Sequence, residues 1–368
     1  MAFKLALGGG HGANTPGKRT PKFDDGTYMN EHDFNYPTAC YVEENLVNEY
    51  EDVEIVRVDD EVRDVPLIER TNKANAEGAD AYVSIHANAM NFTWGEPAPR
   101  GIETYAYVSE PPEAMELAEK AQDEMIDATG LFNRGVKTAN FHVLRETHMS
   151  AILVECGFMD NKEEARLLMS DEYRRTCARA ITNAIAAQYG LKKRSNPKPA
   201  APKPTYETYV IDENIGNYRL ESKVADLRFY VEPSWADADV FGRIDEGVGF
   251  PTIVRKLQVG DGEQYEVQNS DGATFYITAA DVFVQLIEKE EDEPWFIGKR
   301  VECKVGKLRF YSRPSWDDSA LAGHVTEGIG FPNILDKLTV GAGEQYEVAN
   351  SDGDVFYITA SDEYVRVE

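Results

Sequence analysis

The chain is poor in cysteine, histidine and basic residues, and it has no long apolar run. Its four cysteines, Cys40, Cys156, Cys177 and Cys303, lie far apart with no C-x-x-C pair. That spacing excludes a disulfide-stapled scaffold and reads as scattered reduced thiols, consistent with synthesis in a reducing compartment. No stretch is apolar enough over a sufficient length to cross a bilayer, so a soluble protein without membrane insertion is expected. The 38 Lys and Arg residues are outnumbered by 65 Asp and Glu, a formal charge of -27. Nucleic acid is a poor partner for such a chain, because phosphate binding needs a concentrated cationic field. The start, Met1-Ala-Phe-Lys-Leu-Ala-Leu-Gly, is too short an apolar stretch for a signal-peptide core and reads as a first buried strand. A target outside the cell then requires delivery by something other than the ordinary secretion route.

What is present describes a globular protein of more than one domain. Hydrophobic residues make up 42% and aromatics 11% of 368 residues, too many residues for one ordinary core. Residues 191–205, LKKRSNPKPAAPKPT, are rich in Pro and Lys without apolar periodicity and are expected to run as an extended spacer. Beyond it the sequence repeats. Leu227-Arg-Phe-Tyr recurs as Leu308-Arg-Phe-Tyr, Pro233-Ser-Trp as Pro314-Ser-Trp, Gly262-Glu-Gln-Tyr-Glu-Val as Gly343-Glu-Gln-Tyr-Glu-Val, and Phe275-Tyr-Ile-Thr-Ala as Phe356-Tyr-Ile-Thr-Ala. A constant, gapless offset relates these blocks. Each copy, 206–288 and 295–368, alternates short apolar strands with turn signals such as Asn269-Ser-Asp-Gly, the pattern of a small all-β barrel. The acidic run from Glu288 to Glu293 reads as a solvated connector.

Residues 1–190 alternate strand-like runs (Phe3 to Leu7, Val53 to Val58, Ala81 to His86, Ala151 to Glu155) with helical stretches (Pro37 to Tyr50, Leu67 to Glu77, Pro112 to Gly130, Glu172 to Tyr189). This predicts an α/β domain with a mostly parallel sheet flanked by helices. Functional groups of such sheets gather at the carboxyl ends of strands, where His11, His86 and Glu155 fall. His11 follows Gly8-Gly-Gly, which lets the backbone turn tightly. Gly8-x-Gly10-x-x-Ala13 fits a relaxed dinucleotide fingerprint, but Asn14-Thr-Pro-Gly follows where that fingerprint must open a helix. Two imidazoles and a carboxylate are a common catalytic zinc set, and Glu31, just ahead of the first predicted helix, is the candidate carboxylate. Spacing alone leaves this open, since the candidates are dispersed and a lone strand-end histidine is more often structural. His32, His142, His148 and His324 read as surface or hydrogen-bonding residues, and Arg70 as structural.

The blocks Gly10-His-Gly, Glu31-His-Asp-Phe-Asn, Ile68-Glu-Arg-Thr-Asn-Lys-Ala-Asn, Gly78-Ala-Asp, Ser84-Ile-His-Ala-Asn-Ala and Leu153-Val-Glu-Cys-Gly-Phe occur in this order. Asn133-Arg-Gly-Val-Lys and Phe141-His-Val-Leu-Arg lie among them. Together they resemble the amidase-3 family of N-acetylmuramoyl-L-alanine amidases over roughly residues 1 to 190. The resemblance implies zinc ligands at His11, Glu31 and His86 and a catalytic glutamate at Glu155. It also implies hydrolysis of the amide between the lactyl group of muramic acid and L-alanine in peptidoglycan. Leu5-Ala-Leu-Gly-Gly-Gly-His departs from the Asp-Pro-Gly-His common in the family; the histidine is intact and the local turn is the point at issue. Arg145 is a candidate for contact with substrate carboxylates, against a simpler role as a surface ion-pair residue.

The two C-terminal copies resemble the SH3-like wall-binding domains found in tandem in bacteriophage endolysins. Their repeated aromatics, among them Trp235 and Trp316, are candidate sugar-stacking residues, against the commoner role of barrel core. Two copies gain avidity on a polymeric surface. Their acidity points to a neutral or partly cationic secondary cell-wall carbohydrate as partner besides peptidoglycan. A phage or prophage endolysin released through a holin accommodates wall chemistry without a signal peptide. A bacterial autolysin is the alternative within the same chemistry, and a non-catalytic wall-binding protein the alternative outside it.

Overall fold

The computed structural model describes residues 2–60, 63–197, 205–289 and 295–368. Part of the expected spacer, 198–204, and most of the acidic connector, 290–294, lie outside the described residues. The first half alternates strands and helices: β1 (Phe3–Gly9), α1 (Glu31–Glu49), β2 (Val53–Arg57), α2 (Leu67–Ala76), β3 (Ala81–Asn88), β4 (Ile102–Tyr107), α3 (Pro112–Thr129), β5 (Asn133–Ala139), α4 (His142–Arg145), β6 (Ser150–Phe158), α5 (Lys162–Leu168) and α6 (Asp171–Tyr189). Its six strands form one sheet in the order β2-β1-β3-β6-β4-β5, parallel except between β4 and β6.

The inner strands are apolar because both faces are covered. Leu5, Leu7, Val83, Ile85, Ile152 and Val154 are fully buried under α1, α3 and α6, and Ala6, Tyr82 and Leu153 line the opposite face. Each such large side chain contributes roughly 1.5–3 kcal/mol of hydrophobic stabilisation. Among the described residues no helix is long and apolar enough to cross a membrane. All four cysteines are free thiols.

Helix α1 begins six residues before the expected start at Pro37. Proline favours the first helical turn, which is why the sequence suggests a start there. The end is set instead by Asn30, whose backbone N–H donates to the Asp33 carboxylate at 3.1 Å, half of a capping box. Pro37 is carried in the helix interior. Glu31 therefore sits on the first turn of α1 rather than in a preceding loop, where the helix dipole favours a carboxylate. Strands β4 and β5 escaped the sequence reading because their apolar patterns are short and interrupted by polar residues.

The first C-terminal copy contains β7 (Thr208–Asp212), β8 (Tyr218–Ser222), β9 (Leu227–Tyr230), β10 (Val240–Ile244), β11 (Gly249–Phe250), β12 (Thr252–Val259), β13 (Gly262–Gln268), β14 (Thr274–Thr278) and β15 (Val284–Glu288). The second contains β16 (Val301–Cys303), β17 (Leu308–Tyr311), β18 (Leu321–Val325), β19 (Gly330–Phe331), β20 (Asn333–Val340), β21 (Gly343–Ala349), β22 (Val355–Thr359) and β23 (Val365–Val367). Both are antiparallel: a β10-β9-β14-β13-β12-β7 sheet with β11-β8-β15, and a β18-β17-β22-β21-β20 sheet with β19-β16-β23. Phe229, Phe250 and Phe275 pack edge to face inside the first, as Phe310, Phe331 and Phe356 do inside the second.

Two compact units result, Met1–Lys289 and Glu290–Glu368. The first copy thus shares a unit with the α/β half, because β10 is bound to it directly. Tyr28 and Arg243 form an antiparallel bridge, with N–H···O distances of 3.0 and 2.7 Å.

Candidate metal centre

Three donors from different elements converge at the carboxyl end of the sheet. His11 follows β1, Glu31 opens α1, and His86 lies near the end of β3, whose pairing with β1 sets Gly9 beside Ile85. His86 Nδ1 lies 3.0 Å from Glu31 Oε1, and His11 Nε2 lies 3.3 Å from Glu31 Oε2. One ligand atom from each residue falls within 4.8 Å of the other two. The imidazoles stand edge to face, their centroids 5.3 Å apart. Two imidazole nitrogens and a carboxylate on so small a radius fit a divalent cation, with space left for a further ligand.

The turn before His11 has no room for a side chain. A Cβ on Gly10 would come within 1.9 Å of the His86 ring, and one on Gly9 within 2.7 Å of the Asn35 backbone. Glycines thus let the His11 turn approach both β3 and α1. His11 adopts a positive φ of 61°, an uncommon conformation for a residue with a side chain. Arg70 holds it there. Its buried guanidinium donates to the carbonyls of Gly9 at 2.6 Å, Val65 at 2.9 Å and His11 at 3.0 Å, the structural role expected for it. Ser84 Oγ lies 3.1 Å from His86 Nε2, fixing the ring through the nitrogen turned away from Glu31. Asn35 Nδ2 donates to Glu31 Oε1 and to the Gly10 carbonyl, both at 3.0 Å.

Electrostatics separate the carboxylates. Burial works to raise the Glu31 carboxyl, but the hydrogen bond with His86 and the electrostatic interaction with the two neighbouring imidazoles more than offset it and hold it at about 2. Burial lowers the His11 imidazole to about 4, keeping it neutral as a ligand must be. Glu155, on β6, is paired in register with His86 on one side and Glu103 on the other. Its carboxyl is pushed well above the usual range by burial and then by the charges of Glu31 and Glu103. Its Oε2 is shut off from solvent and has no hydrogen-bond partner among the described residues. Glu103 goes the other way: Arg134, Lys137 and Tyr105 donate to it, outweighing burial and holding it at about 2.

His11, His86 and Glu155 all line a cleft of about 560 Å³ whose walls include Val65, Leu67, Phe141 and Val143. The model of the N-acetylmuramoyl-L-alanine amidase family matches residues 6–187. The chain is 33% identical over 192 residues to the N-acetylmuramoyl-L-alanine amidase CwlM of Bacillus licheniformis, covering 52% of this chain and 71% of that one. The chain belongs to this family. It is also 32% identical over 235 residues to the endolysin of Bacillus phage SPP1, covering 61% of this chain and 78% of that one. Among solved structures, an N-acetylmuramoyl-L-alanine amidase from Clostridium difficile 630 matches with a TM-score of 0.47 and 28% identity, over 51% of this chain and 97% of that one.

Several residues of the amidase cleft were not singled out by sequence reasoning. Lys18 borders the cleft and its charge acts on both His11 and Glu155. His142 also lines it, with Nε2 3.4 Å from Thr71 Oγ1; the block Phe141-His-Val-Leu-Arg was the available signal. His32 is buried and stacks on Tyr36. Arg145 is not among the cleft-lining residues; it donates to Glu146 and to Asn140 Oδ1, both at 2.7 Å. In the repeats, the indole of Trp235 donates to the Val259 carbonyl at 2.8 Å and that of Trp316 to Val340 at 2.7 Å. Trp316 keeps 40% of its surface exposed.

Proposed function

We propose that the amidase is zinc-dependent, that His11, Glu31 and His86 hold the zinc, and that Glu155 is the catalytic carboxylate. The observation that carries this reading is the convergence of the three donors within 4.8 Å beside the buried Glu155 carboxylate, all four lining one small pocket. Zinc, when bound, supplies Lewis acidity toward the scissile carbonyl and makes proton removal from water feasible near neutral pH. Glu155 accepts the proton of the attacking water on the edge of its carboxylate that lines the cleft and returns it to the leaving nitrogen of L-alanine, acting as base and then acid. Its apolar, acidic surroundings favour holding a proton between those two moments. Arg70 holds the backbone turn that presents His11, and Ser84 keeps the His86 ring oriented.

On this reading residues 1–190 are the catalytic domain, 191–205 a spacer, and 206–288 and 295–368 SH3-like wall-binding repeats for a secondary wall carbohydrate. Trp235 and Trp316 are proposed ligand contacts, and Arg145 a more distant substrate contact. The amidase then serves as a phage or prophage endolysin reaching the wall after holin-dependent release. The likeness to the SPP1 endolysin, which extends beyond the catalytic half, supports that role.

Purified protein should bind one zinc and expose new N-terminal alanine on cell walls. E155A should keep the zinc and lose hydrolysis by about a thousandfold or more, whereas H86A should lose zinc itself. Release of alanine N-termini by a chelator-stripped chain, or full activity of E155A, would overturn the assignment.

A further inference from the structure

Arg243, on β10 of the first repeat, and Asp33, on the first turn of α1, are each only 4% exposed. Arg243 donates from Nε to Asp33 Oδ2 and from Nη2 to Oδ1, both at 2.8 Å, a bidentate pair. Its remaining nitrogen, Nη1, donates to Asp226 Oδ2 at 2.9 Å. The Asp33 oxygen that meets Nε also accepts the Asn30 N–H, so one carboxylate closes the helix cap and receives the guanidinium together. Glu31 lies between those two residues. Neighbouring contacts reinforce the joint: the Tyr28 hydroxyl lies 2.9 Å from Asp245 Oδ1 and 3.0 Å from Asp226 Oδ1, sharing its one proton between them, and Lys22 pairs with Asp245 at 2.6 Å.

The second repeat supplies an internal control. The offset that aligns the copies puts Lys307, His324, Thr326 and Ala322 where the first has Asp226, Arg243, Asp245 and Phe241. Strand register agrees, with Arg243 opposite Arg228 in one copy and His324 opposite Arg309 in the other. Pairs that hold a repeat to itself recur: Arg228–Asp237 as Arg309–Asp318, and Lys256–Glu263 as Lys337–Glu344. The residues that reach Asp33 and Tyr28 do not.

We propose that Arg243 is a positioning residue for the metal centre: through Asp33 it fixes the first turn of α1 and thereby the carboxylate of Glu31. The first repeat is then part of the catalytic apparatus and not only a wall-binding module. The proposal rests on the reading of His11, Glu31 and His86 as zinc ligands.

The test uses the full chain and measures zinc affinity by competition with a chromogenic chelator, with folding checked by circular dichroism. R243H, which copies the second repeat, and D33N should each weaken zinc binding about tenfold, in the range for groups that orient ligands. The R243H/D33N double variant should be no weaker than the worse single one, and H324R should match wild type. Should R243H fail to fold, D33N decides, since its amide still fills the same space. Wild-type zinc affinity in the folded variants, whatever their melting temperatures, or strictly additive losses in the double variant, overturns the proposal alone. A wild-type chain that binds no zinc overturns the metal reading and this proposal with it.

Discussion

In the first repeat Lys223 Nζ donates to the Asp281 carbonyl at 2.6 Å, and in the second Lys304 Nζ donates to the Asp362 carbonyl at 2.5 Å. Gln264 spans to the Ser234 backbone in one copy and Gln345 to Ser315 in the other. Even Ser222 Oγ, which donates to the Val224 carbonyl, is matched by Cys303 Sγ on Val305. Against these shared contacts within each copy, the β10 face of the first copy carries Asp226, Arg243 and Asp245, and the β18 face of the second carries Lys307, His324 and Thr326. Internal contacts are constrained by a single fold that both copies adopt. Outward side chains are constrained only by what they meet, and the first copy meets an acidic helix end. Duplication thus preserved a scaffold while one surface of it acquired a different task.

The sharpest way to break this comparison is to exchange the residues that differ. R243H leaves Asp33 buried without its partner and should lower the stability of the first unit by about 3–5 kcal/mol in denaturant unfolding, the cost of breaking a buried pair. H324R, at an exposed position, should change stability by no more than about 0.5 kcal/mol. Similar losses for both would show that the faces are equivalent after all.

Next in size is the pair of tryptophans. W235A and W316A should each cost about 2 kcal/mol, less than the roughly 3–5 kcal/mol of a fully buried aromatic. Wall adhesion that falls in either variant beyond its loss of folded protein, in a sedimentation assay, marks a ligand contact. Adhesion that merely tracks stability assigns that indole to packing alone.

Acidification separates the copies more gently. Burial works to raise the Asp33 carboxyl, and the charge and hydrogen bonds of Arg243 more than offset it, holding it below the usual aspartate range. A carboxylate depressed on folding stabilises above its unfolded pKa, and that contribution is lost as pH falls through the folded value. The first unit should therefore lose stability on acidification below the ordinary carboxylate range, and R243H should flatten that slope in melting curves taken across the acid limb. H324R should leave it unchanged.

The smallest effect concerns glycines under the indoles. A Cβ on Gly262 would lie 2.7 Å from Trp235 Cζ2, and one on Gly343 would lie 3.0 Å from Trp316 Cζ2. G262A should cost about 1 kcal/mol by crowding, with G343A costing less. The reverse order in thermal melts would contradict the packing described for the two hairpins.

Much of the catalytic half was legible because its signals are local or ordered. Apolar runs ending in His86 and Glu155 marked the two adjacent strands, and Gly8-Gly-Gly marked the turn that a Cβ at Gly10 would obstruct. The start of α1 was misjudged because proline is a strong local cue, whereas the Asn30–Asp33 cap is a short-range bond between two unremarkable polar residues. The interrupted strands β4 and β5 carried too little alternation to be read singly. The Arg243–Asp33 pair was not legible: its members are 210 residues apart, and nothing in the neighbourhood of either announces a partner. A difference between the two related repeats was the one available trace of it.

That separation also bears on how the chain comes to be made. A polypeptide emerging from its N-terminus presents the acidic first turn of α1 long before Arg243 exists to meet it. Contacts of such long range form late and slow folding, since a large loop must close before they are gained. The antiparallel bridge between Tyr28 and Arg243 therefore ties maturation of the hydrolytic half to synthesis of the module that follows it.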